Sequence, residues 1–153
     1  MNESRPQDAI RILSLTGANP TGDNFGWSVA MNEQKTLAVG AIAQDGRGAV
    51  YIYRNGNYDA TPEKIPAPSS VSNNGNFGFS VAFYQNTLVV GAPYSSVGGR
   101  QNAGMAFIYD LNLNDYVNKV QSLPSNPTSN AEYGRSVSIY SEAMVVGSRN
   151  YQR

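Results

Sequence analysis

The sequence has no cysteine and no histidine. The first absence excludes disulfides and thiolate metal sites. It leaves the compartment open, since reducing and oxidising environments both tolerate such a chain. The second removes the commonest general base near neutral pH and the commonest zinc ligand. Charge is also scarce, at 14% of residues against the usual quarter. Eleven basic and eleven acidic side chains are scattered singly and sum to zero. With no basic stripe to neutralise phosphates, no nucleic-acid partner is expected. With no polybasic cluster, an anionic membrane surface is not expected either. No apolar run approaches the ~20 residues that span a bilayer, so no transmembrane segment is expected. The amino end, Met1-Asn2-Glu3-Ser4-Arg5-Pro6-Gln7, shows no signal peptide.

What takes the place of charge is glycine, asparagine, serine and tyrosine. Apolar residues make up 41% of the 153, enough to bury a core. That mixture suits short strands joined by tight turns and suits helices badly. No stretch sustains helical periodicity over ten or more residues.

The chain repeats itself. Phe25-Gly26-Trp27-Ser28-Val29-Ala30-Met31 is followed by Leu37-Ala38-Val39-Gly40-Ala41. Phe77-Gly78-Phe79-Ser80-Val81-Ala82-Phe83 is followed by Leu88-Val89-Val90-Gly91-Ala92-Pro93. Tyr133-Gly134-Arg135-Ser136-Val137-Ser138-Ile139 is followed by Met144-Val145-Val146-Gly147-Ser148. The aromatic-Gly-x-Ser-Val motif returns after 52 residues and again after 56. Gly48-Ala49-Val50-Tyr51-Ile52-Tyr53 corresponds to Gly104-Met105-Ala106-Phe107-Ile108-Tyr109.

Each unit reads as four short strands. In the first unit they are expected at 27–31, 36–41 and 49–53, with a weaker fourth near Glu63-Lys64-Ile65. Val50 and Ile52 alternate with Tyr51 and Tyr53, as in a strand with two different faces. Leu88-Val89-Val90 is continuously apolar, as in a strand buried on both. Ile10–Leu15 and Val117–Ser122 each read as the closing strand of a preceding unit. A four-stranded unit of this length that repeats is the signature of a β-propeller blade. The fold expected is all-β, one array of about three blades. Residues 1–22 end a preceding blade, 23–74 form repeat 1, 75–130 repeat 2, and 131–153 a truncated repeat 3.

Phe77-Gly78 followed by Gly91-Ala92-Pro93 resembles the FG-GAP repeat. The Ser-Val-Ala and Leu-Val-Val-Gly-Ala-Pro spacing is similar to a compact subtype of bacterial and protist surface proteins. The resemblance runs from residue 10 onward, and the second copy matches best. The first copy has Ala41-Ile42 where Ala-Pro is expected, and the third has Gly147-Ser148. The same repeat builds the propeller of integrin α chains. The resemblance therefore implies ligand binding on one face of a disk, in adhesion or recognition, at an extracellular or cell-surface location. Many such blades also carry a calcium loop, Asp-x-Asp-x-Asp-Gly. Gln44-Asp45-Gly46-Arg47-Gly48 holds one carboxylate and 94–102 none. Calcium needs six or more oxygen ligands, so no metal site or cofactor is expected, and Asp45-Gly46 reads as a tight turn.

The residues that could carry function follow from these placements. The Phe-Gly aromatics are expected to fill the gaps between blades, and the repeated Ser28, Ser80 and Ser136 to bond backbone in each blade. Tyr51, Tyr53 and Tyr109 fall in strand patterns and read as packing. Asp45, Arg47, Tyr94, Ser95 and Arg100 lie in the loops 42–48 and 94–103 and are the ligand-binding candidates. Trp27, Phe79 and Arg135 occupy one repeat position. A site that takes all three is expected at a surface or interface, which makes them partner-contact candidates. Val97-Gly98-Gly99-Arg100 lacks the Lys-Ser/Thr and the helix of a phosphate loop and reads as a hairpin. No histidine exists to activate a serine. Asp110 and Asp115 read as solvated loop carboxylates rather than a glycosidase pair.

The function expected is a non-catalytic module presenting a propeller face to a protein or carbohydrate ligand. The alternative is an assembly subunit that self-associates through blade edges. Three blades do not close a ring, so the chain is expected either to form a homo-oligomer or to belong to a longer propeller.

Overall fold

A computed structural model describes residues 22–113 and 119–149. Its strands are β1 (Phe25–Met31), β2 (Leu37–Ala41), β3 (Ala49–Tyr53), β4 (Glu63–Pro66), β5 (Ser80–Tyr84), β6 (Thr87–Ala92), β7 (Met105–Asp110), β8 (Lys119–Ser122), β9 (Ser136–Tyr140) and β10 (Ala143–Gly147). They form two four-stranded antiparallel meanders, β1-β2-β3-β4 and β5-β6-β7-β8, and the pair β9-β10. Among the described residues the one helical turn is a 3₁₀ turn at Gln44–Gly46. The fold is all-β and consists of propeller-type blades.

Strand bounds follow the residue pattern closely. β1 begins two residues earlier than the motif suggests, because Phe25 pairs with Ala41 across a register shift that precedes Val29. Gly26, at φ 91°, sits in that irregularity. Lys119–Ser122 closes the second sheet by pairing with β7. The expected strand at Ile10–Leu15 lies outside the described residues, as do Val117 and Asn118.

The middle strands are the driest. β2 and β3 are buried along their whole length, and β6 from Leu88 onward. The main core lies between the first two sheets. Ala38, Val50, Ile52 and Ile65 of one meet Leu88, Val90, Phe107 and Tyr109 of the other, with Phe77 between them. Phe77 has no exposed surface and sits edge-on to Phe107 at 5.5 Å. Burying one such ring stabilises the joint by roughly 2–3 kcal/mol. Tyr51 and Tyr53 are buried in a second cluster with Leu37 and Val39.

Successive sheets touch through their first strands, β1 against β5 and β5 against β9. The joints are the same each time. Ser28 Oγ donates to the Gly78 carbonyl at 2.7 Å, and Ser80 Oγ to the Gly134 carbonyl at 2.8 Å. Phe77 N–H donates to the Arg47 carbonyl, and Tyr133 N–H to the Ala103 carbonyl. In the first two units the second-strand glycine lies under the next unit's aromatic-Gly turn. A Cβ on Gly40 would stand 2.1 Å from the Gly78 oxygen, and one on Gly91 1.9 Å from the Gly134 oxygen. The two halves of the repeat motif thus recognise each other across units.

Candidate ligand-binding face

The Phe-Gly pair is the centre of a turn that recurs three times. Trp27 N–H donates to the Asn24 carbonyl, Phe79 N–H to Asn76 and Arg135 N–H to Glu132. The glycines at the third turn position have φ of 91°, 91° and 94°. That is the sign a type II turn demands there, which is why glycine occupies it. The residue that follows is delivered to the same place in each unit, at the start of the innermost strand.

Three repeat-equivalent side chains therefore meet. The rings of Trp27 and Phe79 lie 5.3 Å apart. The Arg135 guanidinium carbon lies 5.4 Å from the centre of the Phe79 ring, within cation–π range. Tyr94, from the loop after β6, closes on the row from outside. Its ring stands edge-on to Phe79 at 5.8 Å, and its hydroxyl accepts a hydrogen bond from Arg135 at 3.1 Å. Trp27 is 52% exposed, and Phe79, Tyr94 and Arg135 are half-buried.

Arg135 is held from three sides. Tyr94 and then Glu132 raise its pKa above the ordinary arginine value, so its charge is fixed. Glu132 is nearly buried and pairs with Arg135 and, at 3.9 Å, with Arg149. It occupies the repeat position of Asn24 and Asn76, and all three have positive φ, 52°, 56° and 53°. Asparagine tolerates that conformation, whereas glutamate adopts it at a cost of about 1 kcal/mol or more. The repeat marks Glu132 as a departure from asparagine; its role with Arg135 emerges only from the turn geometry.

The remaining loop candidates stand apart from this row. Asp45 is exposed, and the Lys64 ammonium at 2.6 Å and the Gln44 amide at 2.9 Å engage it. Those bonds hold its carboxyl below the usual carboxylate range, Lys64 foremost. A carboxylate so occupied does not fit a calcium site, and among the described residues no three Asp or Glu side chains gather. Arg47 is half-buried, and Arg100 is exposed at a hairpin tip. Neither makes a hydrogen bond or ion pair with the aromatic row. Gly98 and Gly99 at that tip both have positive φ, and Val97 and Arg100 exchange both backbone bonds, as in a type I′ turn. The expectation for Ser95 needs correction. It is fully buried, packed beneath Gly75, and cannot meet a ligand at the surface.

Charge is unevenly divided between the ends of the strands. The Phe-Gly end carries Arg47, Lys64, Arg100, Arg135 and Arg149 against Asp23, Asp45 and Glu132. The opposite end, where β1–β2 and its counterparts turn, carries Lys35 and Arg54 against Glu33, Asp59, Glu63, Asp110 and Glu142. These counts cover the described side chains. No helix among them is long and apolar enough to cross a membrane.

No curated protein matches the chain. The family description "FG-GAP repeat" matches residues 19–53 and 63–109, more than half of the sequence. The second match takes in β4, the last strand of the first sheet, together with β5 to β7. With the turn, the joint glycines and the four-stranded meanders in place, the chain belongs to the FG-GAP repeat family.

Proposed function

We propose that the chain is a non-catalytic recognition module that binds a protein or glycan on its Phe-Gly end. One observation carries this reading. Equivalent side chains of three successive units converge into a single half-exposed row, Trp27–Phe79–Arg135, buttressed by Tyr94. Such a row offers flat apolar rings for stacking and a fixed cation for a polar group, the combination enriched at recognition hot spots. The repeated serines are unsuited to nucleophilic work. Ser28 and Ser80 commit their hydroxyls to glycine carbonyls, and the chain has no histidine to activate them. The family's association with extracellular proteins supports a role at the cell surface.

Trp27 is the chain's single tryptophan, so its fluorescence reports on this face alone. Wild type, Trp27→Ala, Phe79→Ala and Arg135→Ala would be screened against arrays of glycans and immobilised proteins. A ligand that changes Trp27 emission in the wild type and is lost from all three variants supports the reading. Identical binding profiles for all four proteins would sink it.

A second reading is assembly through blade edges. Val29 and Met31 on β1 are exposed, while their equivalents Val81 and Phe83 pack against the core that the two sheets share. Light scattering on a sizing column tests whether a second copy covers them. A concentration-independent monomer mass removes this reading and leaves the first.

A further inference from the structure

The far ends of the innermost strands enclose a depression of about 310 Å³. It lies opposite the aromatic row, and three successive units build it, with Met31 and Glu33, then Tyr84 and Gln85, then Tyr140 among its walls. We propose that this depression binds a basic side chain, arginine or lysine, of a partner polypeptide.

The chemistry of the walls selects that ligand. Tyr84 and Tyr140 meet edge to face at 5.2 Å, and Tyr140 is 76% exposed. A tyrosine so exposed offers a ring face that attracts a guanidinium or ammonium group. Glu33 sits on the rim, exposed, and forms no ion pair with a described residue. Two of the walls are tied together, because Asn32 Nδ2 donates to the Gln85 carbonyl at 2.7 Å and links the first hairpin to the second. Met31 supplies a polarisable wall for an aliphatic stem. The described side chains at this end are acidic on balance, which steers a cation toward it and a carboxylate away. An anionic or purely apolar ligand would leave Glu33 unanswered. The site is independent of the aromatic row, and so is its test.

The probe is a capped tetra-arginine peptide, with tetra-citrulline as its neutral isostere. Amide chemical shifts of the whole chain would be followed during titration at low ionic strength. The expected result is saturable shifts at Glu33, Gln85 and Tyr140 with arginine and none with citrulline. Tyr140→Leu should weaken binding about two- to fivefold, the share of an exposed cation–π contact. Glu33→Gln should weaken it more than Asp59→Asn, which removes the same charge from the same end outside the depression. Both positions are exposed, and thermal unfolding of each variant checks that the fold is kept. Equal losses from the two charge variants would mean diffuse attraction only and overturn the proposal. So would equal binding of citrulline, shifts centred on Trp27 and Arg135, or no shifts at all.

Discussion

The Ser80 hydroxyl donates 2.8 Å across a sheet boundary to the carbonyl of Gly134, as Ser28 does to Gly78 at 2.7 Å. One side chain per unit therefore hydrogen-bonds to the turn that begins the next. Ser80→Ala leaves that carbonyl half-satisfied and should cost about 1 kcal/mol. Urea denaturation would show this as a lower midpoint with an unchanged slope. Ser28→Ala should behave alike, and a null effect at both positions would remove the serines from the joint.

Gly91 and Gly98 offer a contrast in why a glycine is present. Alanine at Gly91 would drive a Cβ into the Gly134 oxygen at 1.9 Å. Backbone cannot yield there cheaply, so Gly91→Ala should cost about 3 kcal/mol or more. Alanine at Gly98 meets nothing within 4 Å and suffers only the positive φ of 56°, a cost of about 1–2 kcal/mol. Thermal unfolding of the two variants should separate them widely.

Phe79→Ala removes the ring between Trp27 and Arg135. Trp27 should then become more exposed, and its emission should move to longer wavelength with little change in stability. Phe77→Ala, two residues away, empties a fully buried site and should cost about 3–5 kcal/mol. An unshifted Trp27 spectrum in Phe79→Ala would mean that the stacked arrangement is not the one populated.

Burial pushes the phenol of Tyr109 well above its ordinary pKa, and those of Tyr51 and Tyr53 above theirs. The folded values lie above the unfolded ones. The stability they confer is complete below about pH 10 and is lost as pH rises from there through the folded values. Tyr109→Phe cannot ionise, so its stability should fall less steeply over that alkaline range, with Tyr51 and Tyr53 still contributing. Parallel curves for wild type and variant would contradict the burial argument.

Much of this was legible in the sequence, for a physical reason. The alternation of Val50–Tyr53 and the apolar run Leu88–Val90 report burial directly, and turn glycines report backbone conformation. The shared position of Trp27, Phe79 and Arg135 was visible as a repeat column. That the three side chains touch was not visible, because contact across units depends on how closely the innermost strands approach. Tyr94 joins them from a different column for the same reason. Ser95 misled because a loop flanked by polar residues reads as exposed, whereas its loop folds back beneath Gly75. The engagement of Asp45 by Lys64, 19 residues away, depends on β4 returning beside β3.

The paired glycines have a consequence for how such a chain can change in length. Each unit carries a donor serine and a second-strand glycine for its successor, and a Phe-Gly turn for its predecessor. Copying one whole unit in tandem would recreate the serine, glycine and turn contacts at the new boundary with no substitution elsewhere. Cutting within a unit would strand a hydroxyl or a turn without its counterpart. The grammar of the joint thus makes the whole repeat, rather than the single residue, the increment by which this architecture is free to grow.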